Sequence, residues 1–181
     1  MAVGELVRDA EFTEFARARA PWLRKVAYLL CGDWHRADDL VQASMLKLYT
    51  GWHRAGQVEN VDGYARRTLI NVFLAEQRGP WWQRVINHER EPDPEVLADA
   101  RSVTALDLDA ALDLRAALAA LPPKQRAAVV LRYYCDLSVD QTAEILQCST
   151  GNVKSQTWHG LRTLRVRLES GTADTTKGRG L

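Results

Sequence analysis

Apolar residues recur along this chain at intervals of three and four almost from end to end, while the strict alternation of a half-buried strand is nearly absent. Over 9–31 the stripe comprises Phe12, Phe15 and Ala16, then Leu23, Val26, Ala27 and Leu30. Pro21 is expected to divide it into two helices, because proline lacks the donor that a helix interior needs. Gly32 suits a left-handed helix end and Asp33 suits the cap of the next helix. That helix is predicted to reach residue 50, with Leu40, Val41, Met45, Leu48 and Tyr49 on its apolar side. Gly51, Gly56 and Asn60 mark 51–61 as a loop, and a further helix is predicted over 62–78, stopped by Gly79 and Pro80. Residues 82–105 hold Pro92, Pro94 and dense acid and read as a linker. Periodicity returns over 106–120. Pro122 and Pro123 then fit the first turn of a helix over 123–134, where a missing donor costs nothing.

The strongest local signal lies further on. Ser138, with Gln141 three residues later, forms a capping box, in which each side chain satisfies an otherwise unpaired backbone amide. It opens a short helix over 139–146. A tight turn at Gln147, Cys148 and Ser149 follows, then a longer basic helix over 150–168. Short helix, turn and longer helix make the helix-turn-helix pattern. On the second helix Val153, Thr157, Gly160 and Leu164 are spaced to face a core, with Gly160 allowing close approach of the first helix of the motif. The opposite face carries Asn152, Lys154, Ser155, Gln156, Trp158, His159, Arg162 and Arg165. Amides and hydroxyls there can read base edges in the major groove, and the cations can hold phosphates. The tail, 170–181, is rich in glycine, threonine and charge and is expected to be disordered.

Charge sharpens this division. The net charge of the 181 residues is only +1. Residues 1–88 hold 12 basic and 10 acidic side chains, 89–113 hold 2 and 8, and 114–181 hold 10 and 5. An acidic middle between more basic ends indicates modules with different partners. Cys31, Cys135 and Cys148 are scattered and odd in number, which fits free thiols in a reducing compartment. No metal-ligand spacing, nucleophile motif, paired catalytic carboxylates or phosphate-cradling glycine loop appears, so no enzyme, metal or cofactor is expected. No apolar run approaches the roughly 20 residues of a membrane span, and the N-terminus is too polar for a secretory signal. A cytoplasmic protein is expected.

The run over 117–168 resembles region 4 of the extracytoplasmic-function (ECF) sigma factors of the sigma-70 family. The matching elements are Leu121-Pro122-Pro123 before Gln125-Arg126, the Leu131-Arg132-Tyr133-Tyr134 block, Leu137-Ser138, Ala143-Glu144-Ile145-Leu146 and Gly151-Asn152-Val153-Lys154-Ser155. The resemblance implies that the second helix enters the major groove of a −35 element, with Lys154, Ser155, Trp158 and His159 foremost among its contacts. Gln156 and His159 stand where the family usually has arginine, and Thr157 where it has a large apolar residue.

The first half resembles region 2 of the same family. The run over 37–49 is similar to region 2.2. By that resemblance Asp38, Asp39, Gln42 and Lys47, off the main apolar stripe, form the surface that docks on the β′ coiled coil of RNA polymerase. The run over 61–78 is similar to regions 2.3 and 2.4. Arg67, Asn71 and Arg78 recur there at four and seven residues on one helix face. The resemblance makes them the −10 reading surface, with Asp62 and Gly63 at the rim of a base pocket formed by 57–63. Asn71 is the first choice for reading a base, since its amide offers donor and acceptor together. Arg67 and Arg78 would neutralise phosphates. Tyr64 occupies the family's tryptophan position and reads as structural, as do Trp81 and Trp82.

The expected fold is all-α, with two helical domains joined by a flexible acidic linker: region 2 over 1–84, linker over 85–105, region 4 over 106–169 and a tail beyond. A linker of about 25 residues reaches on the order of 80 Å when extended. Two promoter elements a couple of helical turns apart lie roughly 34–68 Å from each other, so one chain can span both. The acidic linker is expected to lie in a basic channel of the polymerase. The implied function is a sigma factor: it binds core polymerase through the β′ coiled coil and the β flap, directs promoter-specific initiation and is open to capture by an anti-sigma factor. The competing reading is a stand-alone helix-turn-helix regulator that binds operator DNA as a dimer.

Overall fold

The structure, a computed structural model, describes residues 3–52, 60–78 and 105–177. Seven α-helices account for most of the described residues, among which there is no strand. The chain divides into two compact units, Met1–Trp82 and Gln83–Leu181. Most of the linker stretch, with Trp81 and Trp82, lies outside the described residues.

Among its described residues the first unit packs three helices: α1 (Val3–Cys31), α2 (Trp34–Thr50) and α3 (Val61–Glu76). The expected break at Pro21 does not occur, and α1 continues through it. Pro21 and Arg17, one turn earlier, are both exposed, so water can satisfy the carbonyl whose intrahelical bond is lost. Burial of Leu23, Val26, Ala27 and Leu30 holds the following turns in line. Gly32, at φ +74°, ends α1 in the left-handed form that glycine adopts without a side-chain clash. Asp33 caps α2 by accepting from the Arg36 amide at 2.8 Å. The core is formed by Leu23, Val26, Ala27, Leu30, Leu40, Leu48, Leu69, Ile70 and Phe73. Tyr49, expected on the apolar stripe, sits at its rim, edge-on to Phe12 and hydrogen-bonded to Asp9. Trp52, in the stretch expected to be loop, is buried against Phe12 and Phe15. Arg36 is buried, and its guanidinium reaches Glu76 at 2.7 Å, tying the start of α2 to the end of α3.

The second unit packs α4 (Ala105–Ala119), α5 (Pro123–Val129), α6 (Val139–Leu146) and α7 (Thr150–Lys177). The helix predicted over 123–134 is α-helical only to Val129, and Val130–Tyr134 form a π-helical turn. The Cys135 amide donates to the Val130 carbonyl, and the Leu137 amide to the Leu131 carbonyl across left-handed Asp136. The Arg132 guanidinium donates to the Leu137 carbonyl and closes the turn. Arg126, also buried, donates to the Ala119 and Leu121 carbonyls, each at 2.8 Å, and so satisfies the end of α4. The capping box at α6 forms in both directions, Gln141 amide to Ser138 Oγ at 3.1 Å and Ser138 amide to Gln141 Oε1 at 2.9 Å. Gln147, at φ +53°, turns the chain out of α6, and Ser149 Oγ accepts from the Asn152 amide at the start of α7. The last helix runs on to Lys177, past the predicted end at 168 and into the stretch expected to be disordered. Gly171 alone does not stop it, since one glycine costs a helix only about 1 kcal/mol and no proline follows.

Candidate nucleic-acid interface

In the helix-turn-helix, the side of α7 that faces the unit is narrow. Val153, Gly160 and Leu164 are buried, and Thr157 is half-buried. The close approach at Gly160 is made by α5, not by α6 as expected from the motif. A methyl group added at Gly160 would lie 2.7 Å from Val129 Cγ2. The reason lies in the packing order of the unit, in which α5 lies directly under the middle of α7.

Turned outward on α7 are Asn152, Lys154, Ser155, Trp158, His159, Arg162 and Arg165, with Gln156 half-buried beside them. Trp158 is 56% exposed. It is nevertheless not loose: the His159 ring meets it edge-on at 4.8 Å between centroids, and the Arg162 guanidinium lies over it at 5.4 Å. Gln156 Nε2 donates to Asn152 Oδ1 at 3.3 Å, which sets the two amides in one orientation. All seven predicted −35 residues therefore lie on the side of α7 away from its buried stripe, five of them braced by one another.

In the first unit, Ala65, Leu69, Val72 and Phe73 anchor α3 on the core. Asn71 is exposed and Arg67 half-buried on the outer side. Arg78 is exposed too, but α3 ends at Glu76, so Arg78 belongs to the turn that follows and not to the helix face on which the spacing placed it. Asn60 caps α3, accepting from the Gly63 amide at 2.7 Å. A methyl group at Gly63 would lie 2.8 Å from Asn60 Nδ2, so glycine here makes room for the capping side chain. Asp62 forms an ion pair with Arg19 of α1 at 2.8 Å. Tyr64 is part-exposed, with its hydroxyl near Gly51. The remainder of the predicted pocket rim, 57–59, lies outside the described residues.

The predicted docking residues on α2 do not form one stripe. Asp39 and Gln42 are exposed at a spacing of three. Lys47, also exposed, lies around the helix from them. Asp38 is held by Arg24 through both carboxylate oxygens, at 2.5 and 3.1 Å. Arg24 in turn lies 4.5 Å over Trp34, which stacks on Tyr28. Leu46, not singled out from the sequence, is 65% exposed four residues after Gln42 and seven after Asp39. The helical repeat from Asp39 would have located it. Hydrophobic patterning assigns apolar residues to the core, and Leu46 departs from it by facing solvent.

Among the described residues no group of three or more histidine, cysteine, aspartate or glutamate side chains is placed to hold a metal ion. No helix among them is long and apolar enough to cross a membrane.

A helical unit with an outward polar face, followed by a second that ends in a helix-turn-helix, fits a sigma-70-type transcription initiation factor, and likeness to known proteins establishes that class. The family description "Sigma-70 region 2" matches residues 15–83, and "Sigma-70, region 4" matches 111–164. Over 176 residues the chain is 38% identical to the RNA polymerase sigma-E factor of Streptomyces avermitilis, covering 96% of this chain and 92% of that one. It is 34% identical to the sigma-E factor of Streptomyces coelicolor, over 87% and 86% of the two chains. The ECF RNA polymerase sigma factor SigE of Mycolicibacterium smegmatis is 28% identical, over 97% of this chain and 68% of its own. In fold, the chain is similar to the sigma factor RpoE of Bartonella quintana, solved in complex with the anti-sigma factor NepR. The TM-score is 0.68 at 23% identity, over 88% of this chain and 97% of that one. The chain belongs to the extracytoplasmic-function group of RNA polymerase sigma factors.

Proposed function

We propose that this sigma factor works without catalysis of its own, in the cytoplasm, by holding core RNA polymerase and two promoter elements at once. Likeness to sigma factors along nearly the full chain carries this reading, and it is what a stand-alone dimeric regulator would lack. Region 4, about 106–169, is proposed to lay α7 in the major groove of the −35 element. Asn152, Lys154, Ser155 and Gln156 sit near the start of that helix, where base edges are within reach. Trp158, His159 and Arg162 follow one to two turns along.

Region 2, about 1–84, is proposed to take the unpaired −10 strand across α3. Asn71 hydrogen-bonds a base edge there, and Arg67 and Arg78 meet phosphates. Opening then follows from tighter binding of the melted state than of the duplex. Asp39, Gln42 and Leu46 are proposed as the contact with the β′ coiled coil, Leu46 as the apolar anchor within a polar rim. Lys47 is proposed to add a contact from the flank. Asp38, already engaged by Arg24, would contribute mainly by keeping α2 against α1. The acidic stretch over 85–105 is proposed to bridge the two regions within the polymerase. An anti-sigma factor is proposed as a regulatory partner, supported by the complex in which the Bartonella relative was solved.

The test is run-off transcription with core polymerase from a related bacterium, with and without the chain. Promoter-specific transcripts are expected only with it. Asn71→Ala is expected to abolish strand opening, read by permanganate reactivity, while leaving co-purification with core unchanged. Transcription that is unaffected by Asn71→Ala would remove the proposed base contact.

A further inference from the structure

Two pairs of side chains cross the seam between α1 and α3. Arg19 Nε lies 2.8 Å from Asp62 Oδ1, with the two side chains 50% and 42% exposed. One turn further along both helices, the Arg66 guanidinium lies 5.6 Å over the Trp22 ring. Arg67 follows on the outer side of α3, with Asn71 one turn beyond it. Three arginines therefore run from the proposed strand-reading face around to α1, and among them stands one carboxylate.

An exposed arginine–aspartate pair adds little to the fold, so its loss is easily tolerated. A backbone phosphate offers the planar guanidinium of Arg19 two non-bridging oxygens, a bidentate partner at least as good as the aspartate. Arg66 lies over Trp22 within cation–π range, which gives its guanidinium a preferred position on this seam. Its Nε is shielded from solvent and makes no hydrogen bond among the described residues.

We propose that the α1–α3 seam is a second phosphate-binding stretch for single-stranded DNA. Arg19 and Arg66 take the backbone of the strand whose bases pass over α3, and Asp62 is the resident counter-ion that a phosphate displaces from Arg19. The inference rests on the proposed −10 function of α3 but assigns Asp62 the opposite sign: it restrains binding and does not contribute a contact. The free factor thereby keeps Arg19 neutralised until a melted strand arrives.

The experiment uses the full chain assembled with core polymerase and a fork-junction fragment of a promoter that the wild type transcribes, with its affinity followed over a potassium chloride series. Arg19→Gln is expected to weaken binding about tenfold and to flatten the dependence of log K on log salt by about 0.7, the loss of one single-strand phosphate contact. Asp62→Asn is expected to tighten binding about three- to tenfold. In an Arg19→Gln background it is expected to change nothing, because its only target is gone. Thermal unfolding of each variant separates binding from folding, and the exposed Arg19→Gln remains informative if Asp62→Asn loses its first-turn charge at a cost in stability. Weaker or unchanged binding by Asp62→Asn overturns the proposal, as does an Asp62→Asn effect that survives the loss of Arg19. A wild-type chain that directs no transcription from any promoter would instead overturn the −10 reading beneath it.

Discussion

Single residues in this protein often do two tasks, and the burial pattern separates them. Gly63, expected at the rim of a base pocket, also leaves room for the Asn60 cap. Thr157 illustrates the reverse case. It stands on the core side of α7, where the family favours a large apolar residue, and its hydroxyl is buried without a hydrogen-bond partner among the described residues. An unmade hydrogen bond of that kind costs about 1–3 kcal/mol. Valine has the same shape and the same branching at Cβ, so helix propensity hardly changes. Thr157→Val is therefore expected to stabilise the protein by about 1 kcal/mol, read as a higher denaturant midpoint with unchanged slope. Promoter binding is expected to stay the same, since the residue faces inward.

Helices were readable to within a residue or two wherever the signal was local. The α6 capping box, the Asp33 cap, the glycine end of α1 and the proline start of α5 each depend on side chains within a few positions of one another. Misreadings arose where distant residues decided the outcome. Pro21 does not end α1, because the hydrophobic burial beyond it outweighs one lost hydrogen bond. The π-helical turn at 130–134 is invisible to a 3.6-residue pattern, and the Arg36–Glu76 tie spans residues 40 apart. The outward side of α7 was legible from spacing alone, whereas the ion pairs that occupy Asp38 and Asp62 were not, since each needs a second helix to supply the arginine.

The α5–α7 contact shows how tightly one element sets another. Alanine at 160 would gain about 1 kcal/mol in helix propensity. Against that, its methyl would intrude on Val129, and overpacking typically costs about 1–3 kcal/mol. Gly160→Ala is thus expected to lower the melting temperature, and adding Val129→Ala is expected to recover part of the loss. Additive behaviour of the two substitutions would show that they do not meet.

At the scale of the whole molecule, the striping of charge separates two kinds of work. The chain as a whole is nearly neutral at +1, so free in solution it is expected to hold DNA weakly, with polymerase providing most of the cationic surface. Leu46 offers a way to uncouple the partners. It is exposed and makes no contribution to the core, so Leu46→Glu is expected to leave folding intact. It is also expected to weaken association with core polymerase about tenfold, or roughly 1.4 kcal/mol. Binding of a −35 duplex by α7 would persist, because that helix belongs to the other unit. Surface plasmon resonance against core polymerase and against duplex DNA would report the two affinities separately.

The wide turn at Val130–Tyr134 has one more implication. Each residue in an ordinary helix advances the azimuth by about 100°, so a loop of backbone that closes on the fifth residue instead of the fourth works as a phase shifter. Deleting one position there would revolve Tyr133 and Tyr134 relative to the buried Val130 and Leu131 and re-aim everything downstream. In this protein the bearing of Tyr133 and Tyr134 is thus written partly in the count of residues ahead of them, and a change in that count would turn these exposed rings to a new side without altering either one.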